Sequence, residues 1–560
     1  MPLSVKSCHD QVEQFLAQSG LRLEPVDYYA AIFARGSDVM LGGGGLQGDV
    51  MKCIAVSPGL RDEGLCLMLI SHLISTAQSS GISSLKVYTK PSNEHILASA
   101  SFHTIARAPE AILMENGYGL EQYCDYLKSL RRPGTGGIVV MNANPFTLGH
   151  QYLVEQAARH VDNLYVILVA EDCSQYPYSE RLHMVKAGCR HVPNVVVCPG
   201  SSYAVSAATF PTYFLKKIED ATSTHIMLDL DLYTRHIAPA LGATQRWVGS
   251  EPSDASTRLY NETMKSHPGI NLVEVPRTGN ISASRVRKAT SLQAMQGLVP
   301  GTTLPHVIAD MATRALLAEL DATPKPGLVD RHDNGAHHDM DYPLMSKSIE
   351  ALRPYFVRLA LMGYSATLPA AAGVRQVGLE AERAMLAATG GVNTHKGALF
   401  SMGLAVAAAA HQACLNHRVE AQPLQQSIVA LASQLTAAAG THGAAVASKT
   451  RVRGALAMAQ AGYEDLFDCW LPFLEDNLHD DNVMLKTLLL IMSQLDDTNV
   501  YYRRGAQVAM QVKEEAGSLL RNFSIAGLEQ MNRECIAGNI SPGGAADMLS
   551  LTCFIHTIVR

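Results

Sequence analysis

The rhythm of apolar and polar positions changes twice along the chain. Up to about Pro133 the pattern mixes strand and helix: Tyr28–Gly36 and Val39–Val56 read as strands, Ser57–Gly81 as a helix and Ser84–Thr89 as a strand. From Gly137 to about Ala289, short Val/Ile-rich runs alternate with helical stretches. Gly137–Met141 reads as a buried parallel strand, and Leu153, Ala157 and Val161 then recur at near-helical spacing. Beyond Pro305, long Ala/Leu/Met helices dominate; Val374, Val377, Ala381 and Ala384 form one apolar stripe, and Val483–Leu495 another apolar helix. The breaks fall at Arg131–Gly137 and Gly297–Pro305, Gly/Pro clusters suited to turns.

Length and composition sharpen this division. A chain of 560 residues exceeds one ordinary core and predicts several domains, at roughly 100–200 residues each. With 47% hydrophobic and 17% charged residues it is globular, and wholesale disorder is excluded. Net charge is −6 with no Lys/Arg block, so no nucleic-acid partner is expected, while local sites for small anions remain open. The 11 cysteines are scattered without CxxC, which argues against a zinc framework and suits a reducing compartment. The first residues lack an apolar signal region, and Leu399–Ala410 is shorter than the about 20 residues that span a bilayer. A cytoplasmic chain with no membrane partner is the expectation.

The first chemical signal is Arg61-Asp62-Glu63-Gly64, where a strand ending near Val56 hands over to a helix. Exposed backbone N–H groups and the helix dipole can bind an anion there, though a plain strand–helix turn has the same form. The order resembles the acetyltransferase-like fold, with Cys66 standing at the last glycine of RxxGxG. The second signal is Asn142-Ala143-Asn144-Pro145-Phe146-Thr147-Leu148-Gly149-His150, between strand and helix. There Gly149 admits close backbone approach and His150 faces the crevice at the strand ends, where open α/β sheets bind ligands. The third is Ile281-Ser282-Ala283-Ser284-Arg285-Val286-Arg287, two hydroxyls and a guanidinium at a helix start.

Thr147–His150 and Ile281–Arg287 resemble the (H/T)xGH and ISxSxxR signatures of the nucleotidyltransferase superfamily. That resemblance implies attack of a carboxylate or phosphate on the α-phosphorus of ATP, with pyrophosphate leaving and catalysis by positioning and charge stabilisation. It makes His150 and Arg287 catalytic, and puts Asn142, Thr147, Gly149, Arg181, Ser282 and Ser284 with them on ATP. Lys216 and Lys217 face ATP or an acidic carrier, or sit at a solvated helix end. Together with Glu171–Gly188, Ser201–Lys217 and Ala238–Pro252, these motifs resemble citrate lyase ligase over roughly residues 1–295. The family is an acid–thiol ligase: it makes acetyl-AMP and acetylates the prosthetic-group thiol of the citrate lyase acyl carrier protein (the gamma subunit).

The helical third carries its own strings. Asp321–Asp330 opens a polar loop continuing through Asp333, His337, His338 and Asp339, costly between apolar helices unless exposed or liganded. Gly390–Gly397 is a Gly-Gly turn with His395 and Lys396, fit for a phosphate or for a simple turn. Asp496 and Asp497 end an apolar helix, against its dipole, and predict a cation: Mg²⁺, or Arg503 and Arg504. Ser541 and Pro542 predict the cap and first residue of a last helix.

In this order the strings resemble triphosphoribosyl-dephospho-CoA synthase over roughly 305–560. That family joins the 2′-hydroxyl of 3′-dephospho-CoA to C1 of the ATP ribose and releases adenine. On charge, Lys325, His395, Lys396 and Arg504 are expected on phosphates, Asp339 and Glu382 in catalysis, and Asp339, Asp496 and Asp497 on Mg²⁺. The family's GARGEA-like segment corresponds here to Arg451–Leu456, with Ala455 and no acidic residue.

The reading is a multidomain fusion with an α/β N-terminal half and an all-α C-terminal domain. It comprises an acetyltransferase-like domain (1–132), a Rossmann-like nucleotidyltransferase domain (133–296) and a helical synthase domain (305–560). ATP is substrate with Mg²⁺; acetate, 3′-dephospho-CoA and the carrier protein are the partners. The alternatives are another nucleotidyltransferase acting on a CoA precursor, and an ATP-binding scaffold with one degenerate site.

Overall fold

A computed structural model describes residues 9–60, 64–170, 174–203, 214, 219–250, 255–436 and 452–560, with some side chains at the edges of the gaps left undescribed. Backbone contacts divide the chain into two compact units, Met1–Ile281 and Ser282–Arg560. The division falls inside the Ile281–Arg287 motif, ahead of the Gly297–Pro305 break marked by composition. The turn residues Arg61–Glu63, and with them Lys216, Lys217 and Arg451, lie outside the described residues.

The first unit holds two sheets. The N-terminal one has six strands: β1 (Tyr28–Phe33), β2 (Met40–Gln47), β3 (Val50–Val56), β4 (Leu85–Thr89), β5 (His103–Arg107) and β6 (Ile112–Asn116), in the order β1-β2-β3-β4-β6-β5. Val39–Val56, read as one strand, is the β2–β3 hairpin, turned at Gly48 with φ 52°. Pairing is antiparallel except between β3 and β4, which meet over Val50↔Lys86 and Met51↔Val87. Helix Leu65–Ser79 makes that crossover, burying Leu69, Ile70, Leu73 and Ala77 against the sheet.

The second sheet is wholly parallel: β7 (Gly136–Met141), β8 (Asn163–Leu168), β9 (Val195–Cys198), β10 (Ala243–Gly249) and β11 (Leu272–Val275), in the order β11-β10-β7-β8-β9. Every residue of β8 is buried, as a strand covered on both faces requires. The chain leaves β7 toward β8 and β9 on one side and later fills β10 and β11 on the other. The C-terminal ends of β7 and β10 therefore flank the point where strand order reverses. Helix Leu148–Ala158 buries Val154, Ala157 and Ala158; Leu153 packs half-buried against the same core, and Val161, past the helix end, is buried in it.

The second unit is helical throughout its described residues, with helices from Ala283–Lys288 to Gly543–Val559. Val374, Val377, Ala381 and Met385 are the buried stripe of helix Ala371–Ala388, while Ala384 is half-buried. Helix Lys396–Asn416 extends beyond the Leu399–Ala410 run at both ends. At 21 residues it is long and apolar enough to cross a bilayer, correcting the length argument, and 83% of its apolar window is buried within the unit. All nine cysteines among the described residues are free thiols.

Candidate active sites

In the first unit, β7 ends at Met141 and the chain turns through Asn142–Phe146 into the reversal crevice. Thr147 caps the following helix, and His150 closes the cap from the third helical position. The Thr147 backbone N–H donates to His150 Nδ1 at 3.0 Å, and its hydroxyl lies 2.9 Å from the same nitrogen. The His150 N–H returns a bond to Thr147 Oγ1 at 3.3 Å. A ring nitrogen that accepts a backbone N–H carries no proton, so the imidazole proton sits on Nε2. Burial, with the charge of Arg277 beside it, lowers the His150 pKa to about 4, and the ring is neutral at pH 7. His150 thus offers one fixed N–H donor and no charge.

Two arginines stand at this end of the sheet, and Arg277 is the one beside His150. Arg277 follows β11; its backbone N–H donates to Ser250 Oγ (2.9 Å), and its guanidinium donates to the Ile281 carbonyl through Nε (3.1 Å) and Nη2 (2.8 Å). Arg181 is fully buried on helix Tyr178–Gly188 and donates to the carbonyls of Asn142 (2.8 Å), Val169 (2.9 Å) and Tyr176 (3.0 Å), and to Asn142 Oδ1 (2.8 Å). It is a strut between two loops at the strand ends, and Asn142 is held by it.

The second unit gathers a buried polar cluster from five segments. Glu319, on helix Leu304–Asp321, pairs with Lys325 Nζ, which also donates to the Glu319 carbonyl at 2.8 Å; both residues are buried. His395 begins helix Lys396–Asn416, is 4% exposed, and has Nδ1 2.8 Å from Ser348 Oγ; its Nε2 is buried without a hydrogen-bond partner. Burial beside the Lys325 charge lowers its pKa to about 3. Asp547, on helix Gly543–Val559, packs against the backbone at Gly397, where a Cβ would sit 2.0 Å from Asp547 Oδ2. Asp497 caps helix Thr498–Arg521 by accepting the Asn499 N–H (2.8 Å), and accepts the Ala545 N–H (3.0 Å) from the start of helix Gly543–Val559. Burial and mutual repulsion raise the Asp547 carboxyl well above the usual range, and burial raises those of Asp497 and Glu319.

Comparison with known proteins also divides the chain in two, near residue 305 and not at Ile281. The family model for the citrate lyase ligase C-terminal domain matches residues 136–307, and that for ATP:dephospho-CoA triphosphoribosyl transferase matches residues 305–560. The citrate (pro-3S)-lyase ligase of Klebsiella pneumoniae is 42% identical over 323 residues, covering 55% of this chain and 94% of its own length. That of Escherichia coli is 38% identical over 315 residues, covering 53% and 89%. The 2-(5''-triphosphoribosyl)-3'-dephosphocoenzyme-A synthase of Pectobacterium atrosepticum is 37% identical over 258 residues, covering 43% of this chain and 86% of its own length. The chain is a member of both families, the ligase and the synthase.

In the ligase half, Asn142, Thr147, Gly149 and His150 come together at the ends of the strands. Arg181 lies behind them, its guanidinium turned onto loop carbonyls and not toward a phosphate as expected from its place in the sequence. Ser282 caps helix Ala283–Lys288 by accepting the Arg285 N–H (3.1 Å), and Ser284 Oγ accepts from Arg287 Nη2 (3.3 Å); all four belong to the second unit. The residue missed by sequence reasoning is Arg277, whose signal was a cation just ahead of Ile281-Ser282.

In the synthase half, Lys325, His395 and Asp497 enter the buried cluster, but the other predicted groups stand apart from it. Lys396 pairs with Glu382 at 2.5 Å, so these two neutralise each other at the surface. Asp339 is exposed in a loop with His337 and His338, not on a helix, and Arg504 is exposed beside the kink at Gly505. Asp496 and Asp497 do not oppose a helix dipole together. Helix Val483–Gln494 has already ended; Asp496 pairs with Lys513 (2.8 Å), and Asp497 serves helix N-termini, where a carboxylate is favoured. Among the described residues no group of three or more His, Cys, Asp or Glu is arranged to hold a metal ion. Pro542, not Ser541, precedes the last helix, and Ser541 Oγ instead meets His337 Nε2 at 2.8 Å. Glu319 and Asp547 were missed; single acids inside apolar helices were their signal.

Proposed function

We propose that the chain is a bifunctional enzyme of citrate lyase maturation. The ligase half activates acetate with ATP as acetyl-AMP and acetylates the prosthetic-group thiol of the citrate lyase acyl carrier protein. The synthase half makes 2′-(5″-triphosphoribosyl)-3′-dephospho-CoA from ATP and 3′-dephospho-CoA, releasing adenine. The observation that carries this is the coverage: relatives of each kind align over most of their own lengths, side by side in one chain. The six-stranded sheet with its single parallel crossover supports the acetyltransferase-like reading of 1–132, and the parallel sheet with its reversal at β7 supports the Rossmann-like reading of 133–296. The helical synthase domain is 305–560, and a cytoplasmic location suits the free thiols.

In the ligase half, the triphosphate lies in the reversal crevice. His150 donates Nε2–H to a phosphoryl oxygen, and Arg277 beside it supplies the positive field. A neutral donor fixed by its helix cap costs no reorganisation as charge builds on that oxygen. Asn142, held by Arg181, lines the same loop. In the synthase half, Lys325 and His395 serve the phosphates, with Lys396, Glu382, Asp339 and Arg504 at the periphery. Mg²⁺ enters with the nucleotide as part of the substrate.

The test is chromatography of bases and nucleotides after incubation with ATP, Mg²⁺ and 3′-dephospho-CoA, then with ATP, acetate and deacetylated citrate lyase. Adenine dependent on dephospho-CoA and AMP dependent on acetate are the expected products. ATP binding with neither product would leave the chain an ATP-binding scaffold.

A further inference from the structure

A cavity of about 250 Å³ opens in the helical unit, away from the Lys325–His395 pair. Met458, Leu466, Trp470, Leu495 and Met548 supply apolar and aromatic wall. One polar group looks out of place among them: the Tyr463 hydroxyl, on a residue 4% exposed, is buried without a hydrogen-bond partner. An unmade buried hydroxyl bond costs about 1–3 kcal/mol, and Tyr463 adds a left-handed backbone, φ 50°, that non-glycine residues rarely adopt. Two local costs at one side chain on a cavity wall point to a partner that enters the cavity.

The chemistry of the walls says which partner. At the rim, Arg453 is paired with Glu464 at 3.4 Å and Asp496 with Lys513 at 2.8 Å, and Asp465 adds a further negative charge. Among the described residues the one cation lining the cavity is the paired Arg453, so a phosphate is disfavoured there. A flat, neutral, aromatic group that both donates and accepts hydrogen bonds satisfies the tyrosine hydroxyl and fills the apolar walls.

We propose that this cavity seats a purine base, with Trp470 in its wall and the Tyr463 hydroxyl as its hydrogen-bonding anchor. On the synthase reading, on which the choice of base rests, that base is the adenine of ATP before and after its bond to ribose is broken. Asp547 neighbours Met548 of the cavity wall on helix Gly543–Val559, and so links this cavity to the buried polar cluster. Tyr463 is then a binding residue that touches the departing base.

The chain's 2 tryptophans make the test direct, because Trp247→Phe leaves Trp470 as the sole indole. In the full-length Trp247→Phe protein, free adenine is expected to quench Trp470 emission saturably. Tyr463→Phe is expected to weaken that binding by about three- to tenfold, the worth of one neutral hydrogen bond, with an unchanged circular dichroism spectrum. Ala461→Leu, which fills the cavity from its wall, should abolish quenching in a protein that melts as the parent does. Absence of quenching, or quenching indifferent to both substitutions, overturns the proposal even where dephospho-CoA-dependent adenine release is intact. Quenching sensitive to both substitutions in a protein that releases no adenine upholds the purine site and sinks the synthase reading instead.

Discussion

Replacing His395 by Asn isolates what the buried imidazole contributes. The ring is 4% exposed, and burial beside Lys325 holds its pKa at about 3 against an ordinary 6.5. The unfolded chain takes up this proton near pH 6.5, while the folded chain refuses it until about pH 3. The stability is therefore complete above pH 6.5 and drains away as pH falls toward 3. At about 1.36 kcal/mol for each tenfold step, the whole difference is about 5 kcal/mol, of which about 2 kcal/mol is lost between pH 7 and pH 5. Asn places an amide where Nδ1 meets Ser348 Oγ and has nothing to titrate. Glu319, Asp497 and Asp547 have raised pKa values and act in the opposite sense, but they are common to both proteins and drop out of the difference. Urea unfolding followed by Trp470 emission, in a Trp247→Phe background, measures it. The variant should be less stable than its parent at pH 7, with the gap shrinking by about 2 kcal/mol at pH 5. A gap of equal size at both pH values refutes the neutral buried ring.

The other expectations concern the two sites. His150→Ala should lower acetate-dependent AMP formation by about 10²–10³-fold, the worth of a preorganised donor; because the His150 pKa is about 4, the parent rate should show no His150 titration between pH 5 and 8. A rate falling with an apparent pKa near 6.5, with that limb lost in the variant, would count against the donor role. Arg277→Ala should raise the KM for ATP about tenfold or more, as expected for a charged hydrogen bond, and an unchanged KM removes it from the phosphate field. Gly544→Ala puts a Cβ 2.9 Å from Asp497 Oδ2, so the carboxylate must leave its backbone donors; a loss of about 1–3 kcal/mol is expected in thermal unfolding.

What the sequence made legible was what runs along the chain. The Gly137–Met141 strand, the helix opening at Thr147-Leu148 and the helical stretch after Pro305 follow from local periodicity and capping chemistry, and the structure has them where the pattern puts them. The errors are of two kinds. Turn residues inside an apolar run were overlooked, so a hairpin at Gly48-Asp49 was read as one strand. Charged residues were assigned by sign alone, so Lys396 and Glu382, which neutralise each other, were sent to different ligands.

Asp497 shows why the second kind of error is intrinsic. In sequence it follows an apolar helix, and a carboxylate at a helix end asks for a cation. In the fold the preceding helix has already ended, and the same carboxylate meets backbone N–H groups of two other helix starts, one of them nearly fifty residues away. Its charge is answered by main-chain dipoles that no count of Lys and Arg can reveal. What sequence could have offered is the glycine opposite: Gly544 leaves no Cβ where the Asp497 carboxylate sits, and Gly397 does the same for Asp547. Asp497 and Asp547 are thus each paired with a glycine at a helix start, while Glu319 is answered by Lys325. The useful pattern was an acid in an apolar setting together with a distant Gly at the opening of a helix, rather than acids and cations counted as they stand in line.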